Sequence, residues 1–118
     1  MTDNTQTIDP ATLPRTITDY LRAHRARDTV TAITCFTNDA TVVEDGKTYH
    51  GTAGIRTWLD RSAGEYTYTI ELTGAEKIDE QHYNAINHLE GDFPGGVVDL
   101  HFRFTLRDGR IARLVIEA

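Results

Sequence analysis

The strongest constraint on the fold is the alternation of apolar and polar residues in residues 97–118, "VVDLHFRFTLRDGRIARLVIEA". Every second residue from Leu100 to Leu106 is apolar, which is typical of a β-strand with one buried face. The Asp108-Gly109 pair that follows favours a two-residue turn, because both central positions of such a turn need positive φ. The chain therefore predicts an antiparallel hairpin at its end, and this hairpin needs further elements to cover its apolar face.

Three other segments have the composition of strands. Residues 40–51, "ATVVEDGKTYHG", predict a second hairpin around Asp45-Gly46, and the segments "YTYTIELTGAEKI" and "QHYNAINHLEGDF" are rich in alternating apolar residues. Helical spacing appears in three places: from Leu13 to His24, after a capping position at Asp28 or Thr29, and in "TAGIRTWLDRS". This order predicts an α+β fold in which three helices cover one face of a curved antiparallel sheet.

Length and charge limit the function. The chain has 118 residues, which suits one domain, and we expect a loose polar segment over residues 1–12 and a single domain over residues 13–118. A formal net charge of −6 argues against a nucleic-acid or anionic-membrane partner. A single cysteine excludes an intrachain disulfide and a cysteine-based zinc site. Without a signal-peptide pattern or a long apolar run, we expect a cytoplasmic protein.

Sequence motifs for cofactors are absent. The chain contains no phosphate-binding glycine loop, no G-x-S-x-G, no H-E-x-x-H and no dinucleotide fingerprint. His82, His88 and Glu90 could bind a metal in principle, but no further ligand is evident nearby. We therefore expect neither a cofactor nor a metal.

Four motifs resemble the nuclear transport factor 2-like superfamily, and more narrowly its ketosteroid isomerase-like and SnoaL-like polyketide cyclase branch. They are "DYLRAHRARD", "CFTNDATVVED", "GTAGIRTWL" and "HFRFTLRDGRIARL", and the resemblance covers about residues 13 to 118. It implies a cone of strongly bent antiparallel sheet with three helices, an apolar pocket and a homodimer. The fold hosts isomerases, cyclases, hydrolases, dehydratases and binding proteins, so it does not fix the activity.

The resemblance also assigns residues. The isomerases of the family use a carboxylate base and an oxyanion hole made of a tyrosine and a protonated aspartate. The base position falls on Glu44 and the tyrosine on Tyr20. The aspartate position falls on Leu100, and a second, supporting tyrosine position falls on Leu59. Because Asp99 should face away from Leu100's side of the strand, efficient ketosteroid isomerisation is not expected.

Glu44 allows two interpretations. It is either a base whose pKa is raised by an apolar cavity, or a rim residue paired across the hairpin with Lys47. Strand parity predicts that Glu44 faces the cavity and that Asp45, a turn residue, does not.

The remaining candidates are assigned by parity and helix face. Tyr20 and His24 share the inward face of the first helix. Tyr20 is either a donor to an oxyanion or a core residue with a satisfied hydroxyl, and His24 is either an acid–base partner or a satisfied core residue. Asn87 is a polar amide on an otherwise apolar strand face and is bonded either to a neighbour or to a ligand. The candidate wall of the pocket consists of Trp58, Tyr49, Tyr83, Leu59, Leu100 and Phe102.

These residues predict a domain that binds a small, largely apolar molecule, with cofactor-independent acid–base chemistry of the isomerase, cyclase, dehydratase or hydrolase type. A non-catalytic ligand-binding or sensor domain and a structural dimerisation domain remain as alternatives. We expect a homodimer through the outer face of the sheet, whose predicted residues are His82, Asn84, Ile86, His88, Asp99, His101 and Arg103.

Overall fold

The computed structural model describes residues 5–118, excluding the side chain of residue 63. Its helices are α1 (Arg15–Arg25), α2 (Thr29–Thr34) and α3 (Gly51–Glu65). Its strands are β1 (Gln6–Ile8), β2 (Phe36–Glu44), β3 (Lys47–His50), β4 (Tyr68–Lys77), β5 (His82–Gly91), β6 (Val97–Arg107) and β7 (Arg110–Glu117). The predicted α+β class is confirmed, with three helices and one sheet.

All seven strands form a single curled sheet that does not close, in the order β1-β4-β5-β6-β7-β2-β3. Every neighbouring pair is antiparallel except β2 and β7, which are parallel. The sheet is therefore mostly, rather than wholly, antiparallel. The parallel pair joins the β2–β3 hairpin to the long antiparallel strands, so that the end of β2 lies beside the end of β7, with Glu44 opposite Ile116.

Both predicted Asp-Gly turns are confirmed. Asp45 and Gly46 have φ of 53° and 75°, and Asp108 and Gly109 have the same pair of values. Positive φ at both central residues matches the twist of the flanking strands, which is why these pairs turn the chain tightly. The first turn places Glu44 opposite Lys47 in the backbone register.

The predicted loose segment over residues 1–12 is in part regular structure. Gln6–Ile8 pairs with the edge of β4, and the Asp9 side chain caps a 3-10 helix at Pro10–Thr12. A polar segment can extend a sheet because the ladder bonds join backbone groups and need no apolar side chain. Residues 1–4 of that segment lie outside the described residues.

The core lies between the helices and the inner face of the sheet. On α1 the buried residues include Ile17, Tyr20 and Leu21, and on α3 they include Trp58 and Leu59. The predicted inward residues of β5, Tyr83, Ala85, Asn87 and Leu89, are all buried. Asn84, predicted on the outer face, is buried too, and its side chain donates a hydrogen bond to Glu76. Among residues 5–118, no helix is long and apolar enough to cross a membrane.

Candidate functional site

A cavity of about 430 Å³ opens at one end of the curled sheet. Its wall is built from α1, the β2–β3 turn, the end of α3 and the inner faces of β4 to β7. The lining residues are His24, Glu44, Asp45, Ser62, Glu65, Tyr66, Tyr68, Leu89, Phe93, Val98, Leu100, Phe102, Ile116, Glu117 and Ala118. A cavity of this size, with aliphatic and aromatic walls and a few polar groups, suits a small organic molecule.

Glu44 is the last residue of β2 and points into this cavity. The indole Nε1 of Trp58 donates a hydrogen bond to Glu44 Oε1 at 3.0 Å, which fixes the carboxylate at the wall. Burial raises the pKa of Glu44; the Trp58 hydrogen bond lowers it, and the nearby negative charges of Glu65 and Asp45 raise it further. No ion pair joins Glu44 to Lys47 within the described part of the chain, so the cross-strand pairing does not hold this carboxylate.

Asp45 is placed differently from the prediction in one respect. It is the turn residue that the sequence indicated, with φ of 53°, but it also lines the mouth of the cavity. A left-handed residue at the tip of a hairpin no longer follows strand parity, so parity alone did not predict this position. Two adjacent carboxylates therefore border the cavity, with Glu44 the more buried of the two.

A chain of hydrogen bonds links three rings beside the cavity. The Tyr20 hydroxyl lies 3.3 Å from His24 Nδ1, and His24 Nε2 lies 3.1 Å from the Tyr68 hydroxyl. Burial, followed by the charge of Arg27, lowers the pKa of His24 to about 4, so the imidazole is neutral near pH 7. Burial also raises the pKa of both tyrosines, and the negative charge of Glu44 adds to this rise, while the charge of Arg27 opposes it at Tyr68.

Burial determines which groups donate and which accept in this series of hydrogen bonds. Tyr20 is fully buried, and among the described residues its hydroxyl bonds only to His24, so it must donate to Nδ1. A neutral imidazole that accepts at Nδ1 carries its hydrogen on Nε2 and donates it to the Tyr68 oxygen. The Tyr68 hydroxyl hydrogen is then free to point into the cavity.

This geometry corrects the role predicted for Tyr20. Tyr20 packs against Phe36 and Phe104 in the core and does not line the cavity, because the curvature of the sheet places α1's mid-point behind the wall. Two other tyrosines line the cavity, Tyr66 and Tyr68, and Tyr68, at the first position of β4, is the one hydrogen-bonded to His24. His24, which was predicted as a site residue, does line the cavity and connects the two tyrosines.

The predicted wall is reproduced only in part. Leu100 and Phe102 line the cavity, and Leu59 lines a small neighbouring one instead. The other three wall candidates, Trp58, Tyr49 and Tyr83, are not in the wall, and neither is the ligand-binding candidate Asn87. These residues lie behind the cavity wall because α3 packs closely against the inner face of the sheet. Trp58 is 1% exposed, and the Tyr49 ring lies 6.5 Å from the Trp58 ring.

Asn87 is buried with an unsatisfied hydrogen-bond donor. It is 2% exposed and its Nδ2 has no hydrogen-bond partner among the described residues. It shares the inner face of β5 with Leu89 and lies opposite Leu100 on β6, and both of these leucines line the cavity. The amide is thus next to the cavity wall with an unused donor, which costs stability unless a neighbouring group moves to accept it.

Several lining residues were not predicted. Strand alternation would have predicted two of them. Tyr68 lies on the same face of β4 as Ile70 and Leu72, and Val98 lies on the same face of β6 as Leu100 and Phe102. The aromatic residues of the mouth, Tyr66 and Phe93, lie outside the strands and carry no periodic signal.

A glycine shapes the mouth. Gly91 pairs with Tyr68 across β4 and β5, and a Cβ there would collide with the Thr67 carbonyl oxygen and with Tyr68. The two backbones approach closely at this point. We infer that any larger residue at position 91 would displace Tyr68 from the wall.

The arrangement has a clear chemical capacity. A desolvated carboxylate takes up a proton more readily than an exposed one, and a phenol hydroxyl can stabilise an oxygen on which negative charge develops. Glu44 and Tyr68 supply these two groups to the same apolar space. The described residues contain no group of three or more His, Cys, Asp or Glu side chains that could hold a metal ion.

Comparison with known proteins yields structural matches. No family profile and no curated protein matches the chain. A polyketide cyclase-like protein from Sinorhizobium meliloti is 30% identical, with a TM-score of 0.86 over 93% of this chain and 100% of its own. A protein from Catenulispora acidiphila with a ketosteroid isomerase-like fold, solved with trimethylamine, is 20% identical, with a TM-score of 0.78 over 91% of this chain and 87% of its own.

A third solved structure shares the fold at lower similarity. It is the epoxide hydrolase/cyclase-like enzyme SalBIII of pyran ring formation in salinomycin, and it is 21% identical. Its TM-score is 0.73 over 86% of this chain and 85% of its own.

Proposed function

Because the chain belongs to the nuclear transport factor 2-like superfamily, in the branch of SnoaL-like polyketide cyclases and ketosteroid isomerase-like proteins, we propose that it binds a small, largely apolar organic molecule and acts on it by acid–base chemistry without a cofactor. The observation that carries the proposal is the pair formed by Glu44 and Tyr68. Both face one cavity, and the carboxylate is partly withdrawn from water.

Glu44 acts as the base in this proposal. A pKa raised by burial makes the carboxylate a better proton acceptor from a weak acid, such as a C–H next to a carbonyl group or an attacking hydroxyl. The Trp58 hydrogen bond to Oε1 holds the carboxylate in place and leaves the other oxygen, Oε2, for the substrate.

Tyr68 stabilises the oxygen that becomes negative. Its hydroxyl accepts from His24 Nε2, which leaves its own hydrogen free to point into the cavity. Tyr20 and His24 are positioning residues, because they act through the Tyr68 hydroxyl: Tyr20 lies behind the wall, and His24, at the wall, is bonded to Tyr68 through Nε2. The neutral state of His24 is part of this role, since a protonated imidazole could not accept from Tyr20.

Leu100 limits the reaction. In the isomerases that the sequence resembles, this position carries a protonated aspartate, and a leucine side chain donates no hydrogen bond. Loss of one such donor typically lowers the rate about 100- to 1000-fold. The site therefore suits proton removal from a more acidic carbon, or ring closure and water addition of the kind named for the polyketide cyclase-like and epoxide hydrolase/cyclase-like neighbours.

A direct test is exchange of the acidic C–H hydrogens of 2-tetralone in D₂O, followed by NMR. We expect the wild-type protein to accelerate exchange over buffer, and Glu44→Gln to lose roughly 100-fold or more of that acceleration with an unchanged melting temperature. Tyr68→Phe should also slow the exchange.

Glu71→Gln is the matched control, because Glu71 is an exposed carboxylate of β4 on the outer face of the sheet. Its exchange rate should equal that of the wild type. Equal rates for wild type and Glu44→Gln would rule out Glu44 as the base.

A further inference from the structure

The mouth of the cavity carries negative charge that the protein does not neutralise. Glu44, Asp45 and Glu65 line it, and none of the three forms an ion pair with another described residue. A fourth carboxylate, Glu117, also lines the cavity, but Arg103 binds it at 2.6 Å. No lysine or arginine occurs among the lining residues that the structure describes.

The placement of Glu65 is unfavourable for the fold itself. It is the last residue of α3, where the helix carbonyl groups already carry partial negative charge, and the last turn of this helix has no basic residue. Glu65 and Asp45 also act on Glu44 through their charges. A positive group at the mouth would relieve all three carboxylates at once.

Aromatic rings stand beside these carboxylates. The Phe93 ring meets the Tyr66 ring at 66° with centroids 6.2 Å apart, and the Tyr68 ring at 78° with centroids 6.5 Å apart. Rings set nearly at right angles form a corner whose faces attract an organic cation. Arg27, which lines the small neighbouring cavity, already covers one face of the Tyr68 ring at 5.4 Å from its centre and donates a hydrogen bond to the Tyr66 carbonyl oxygen. A ligand cation would therefore meet the faces of this corner that Arg27 does not cover.

From the carboxylates and the aromatic corner together, we propose that the cavity selects molecules with an apolar body and a protonated amine. The body would occupy the space between Leu89, Leu100 and Phe102, and the ammonium group would rest at the mouth beside Glu65 and Asp45. Carboxylate anions and phosphate esters of similar shape would be repelled by the same charges. This inference rests on the proposed function, since it names the class of ligand for the same cavity.

Three probes with one skeleton test it: 1-adamantanemethylamine, 1-adamantanemethanol and 1-adamantanecarboxylate. Binding can be followed by the fluorescence of Trp58, which is the only tryptophan of the chain and is bonded to Glu44. We expect the amine to bind roughly five- to tenfold more tightly than the alcohol, and the alcohol more tightly than the carboxylate. Added salt should reduce the difference, because the mouth is exposed.

Two variants distinguish the effect of charge at the mouth on ligand preference from the effect of the protein's net charge. Glu65→Gln should lower the preference for the amine over the alcohol about two- to fivefold, leave the alcohol affinity unchanged and raise the melting temperature. Glu71→Gln removes the same charge from the outer face and should change neither the preference nor the affinity.

The outcomes distinguish this inference from the proposed function. Equal affinities for the three probes, or tightest binding of the carboxylate, would overturn the selection for a cation while leaving an apolar binding cavity intact. Binding of none of the three at millimolar concentration would contradict both. A Glu71→Gln effect as large as that of Glu65→Gln would show that only net charge matters, and it would also overturn the inference.

Discussion

Acidification from pH 7 toward pH 4 should destabilise this protein through His24. The folded-state pKa of this imidazole is about 4, because burial and the charge of Arg27 disfavour the protonated form, whereas an unfolded chain has a histidine pKa near 6.5. The contribution of His24 to stability is therefore complete above pH 6.5. It is lost as the pH falls toward 4, because the unfolded state then binds a proton that the folded state does not.

The size of the loss follows from the two pKa values. A gap between 6.5 and about 4 gives a loss of about 2 kcal/mol by pH 5 and about 3 kcal/mol by pH 4. For a chain of 118 residues, each kcal/mol corresponds to about 4 °C in melting temperature.

Urea unfolding followed by far-UV circular dichroism at pH 7, 6, 5 and 4 measures this slope. Circular dichroism is preferable to fluorescence here because Glu44 is bonded to Trp58 and its pKa is raised by burial, so protonation of this carboxylate would alter the Trp58 signal. The comparison is with His24→Gln, which keeps one donor and one acceptor between the two tyrosines but cannot take up a proton. The free-energy difference between wild type and this variant should shrink by about 2 kcal/mol between pH 7 and pH 5.

His88→Gln is a control of opposite sign. The hydrogen bond that His88 donates to Asp99 and the charges of Asp99 and Glu90 raise the pKa of His88, so this residue stabilises the fold below pH 6.5 and loses that effect as the pH rises through its folded-state pKa. The wild type should therefore gain stability relative to His88→Gln on acidification. Parallel losses for wild type and His24→Gln from pH 7 to 5 would refute the assignment of a neutral, buried His24, and with it the direction given to the Tyr68 hydroxyl.

Two other predictions concern stability and assembly. Asn87→Leu should raise the free energy of unfolding by about 1–3 kcal/mol, because it removes a buried amide whose Nδ2 has no partner among the described residues; destabilisation in urea unfolding would mean that the amide is satisfied. We also expect a homodimer through the outer sheet face, where Ile86 is half-buried and His101 Nδ1 has no partner within residues 5–118. A species of 13.2 kDa in sedimentation at micromolar concentration would contradict the predicted homodimer.

Local signals in the sequence predicted most of the fold. The two Asp-Gly turns were recognisable because the need for positive φ at both positions is a property of the turn itself, whatever surrounds it. The inward parity of β5 followed from alternation alone, because successive side chains of a strand point to opposite faces. The short β1 strand was missed, because the pairing of Gln6–Ile8 depends on the free edge of β4 and not on its own side chains.

The site was decided by contacts between distant parts of the chain. Parity and the turn register were enough to aim Glu44 inward, but its bond to Trp58 depends on how α3 packs against β2, which no local pattern states. Tyr20 was the expected donor because the family resemblance places the oxyanion-hole tyrosine there and because it lies on the inward face of α1. Only the tertiary structure shows that His24 reaches Tyr68, 44 residues further along the chain, and that Tyr68 takes the place at the cavity.

The physical reason is the range of the interactions. Turn conformation, strand alternation and helix capping are set by a few neighbouring residues, so the sequence determined the hairpins, the helices and the face on which Glu44 lies. The cavity depends on the curvature of the whole sheet, on the close approach of Gly91 to Tyr68, and on loop residues such as Phe93 that have no period to follow. Which polar groups share that cavity, and the negative charge left at its mouth, were therefore decided by the tertiary structure alone.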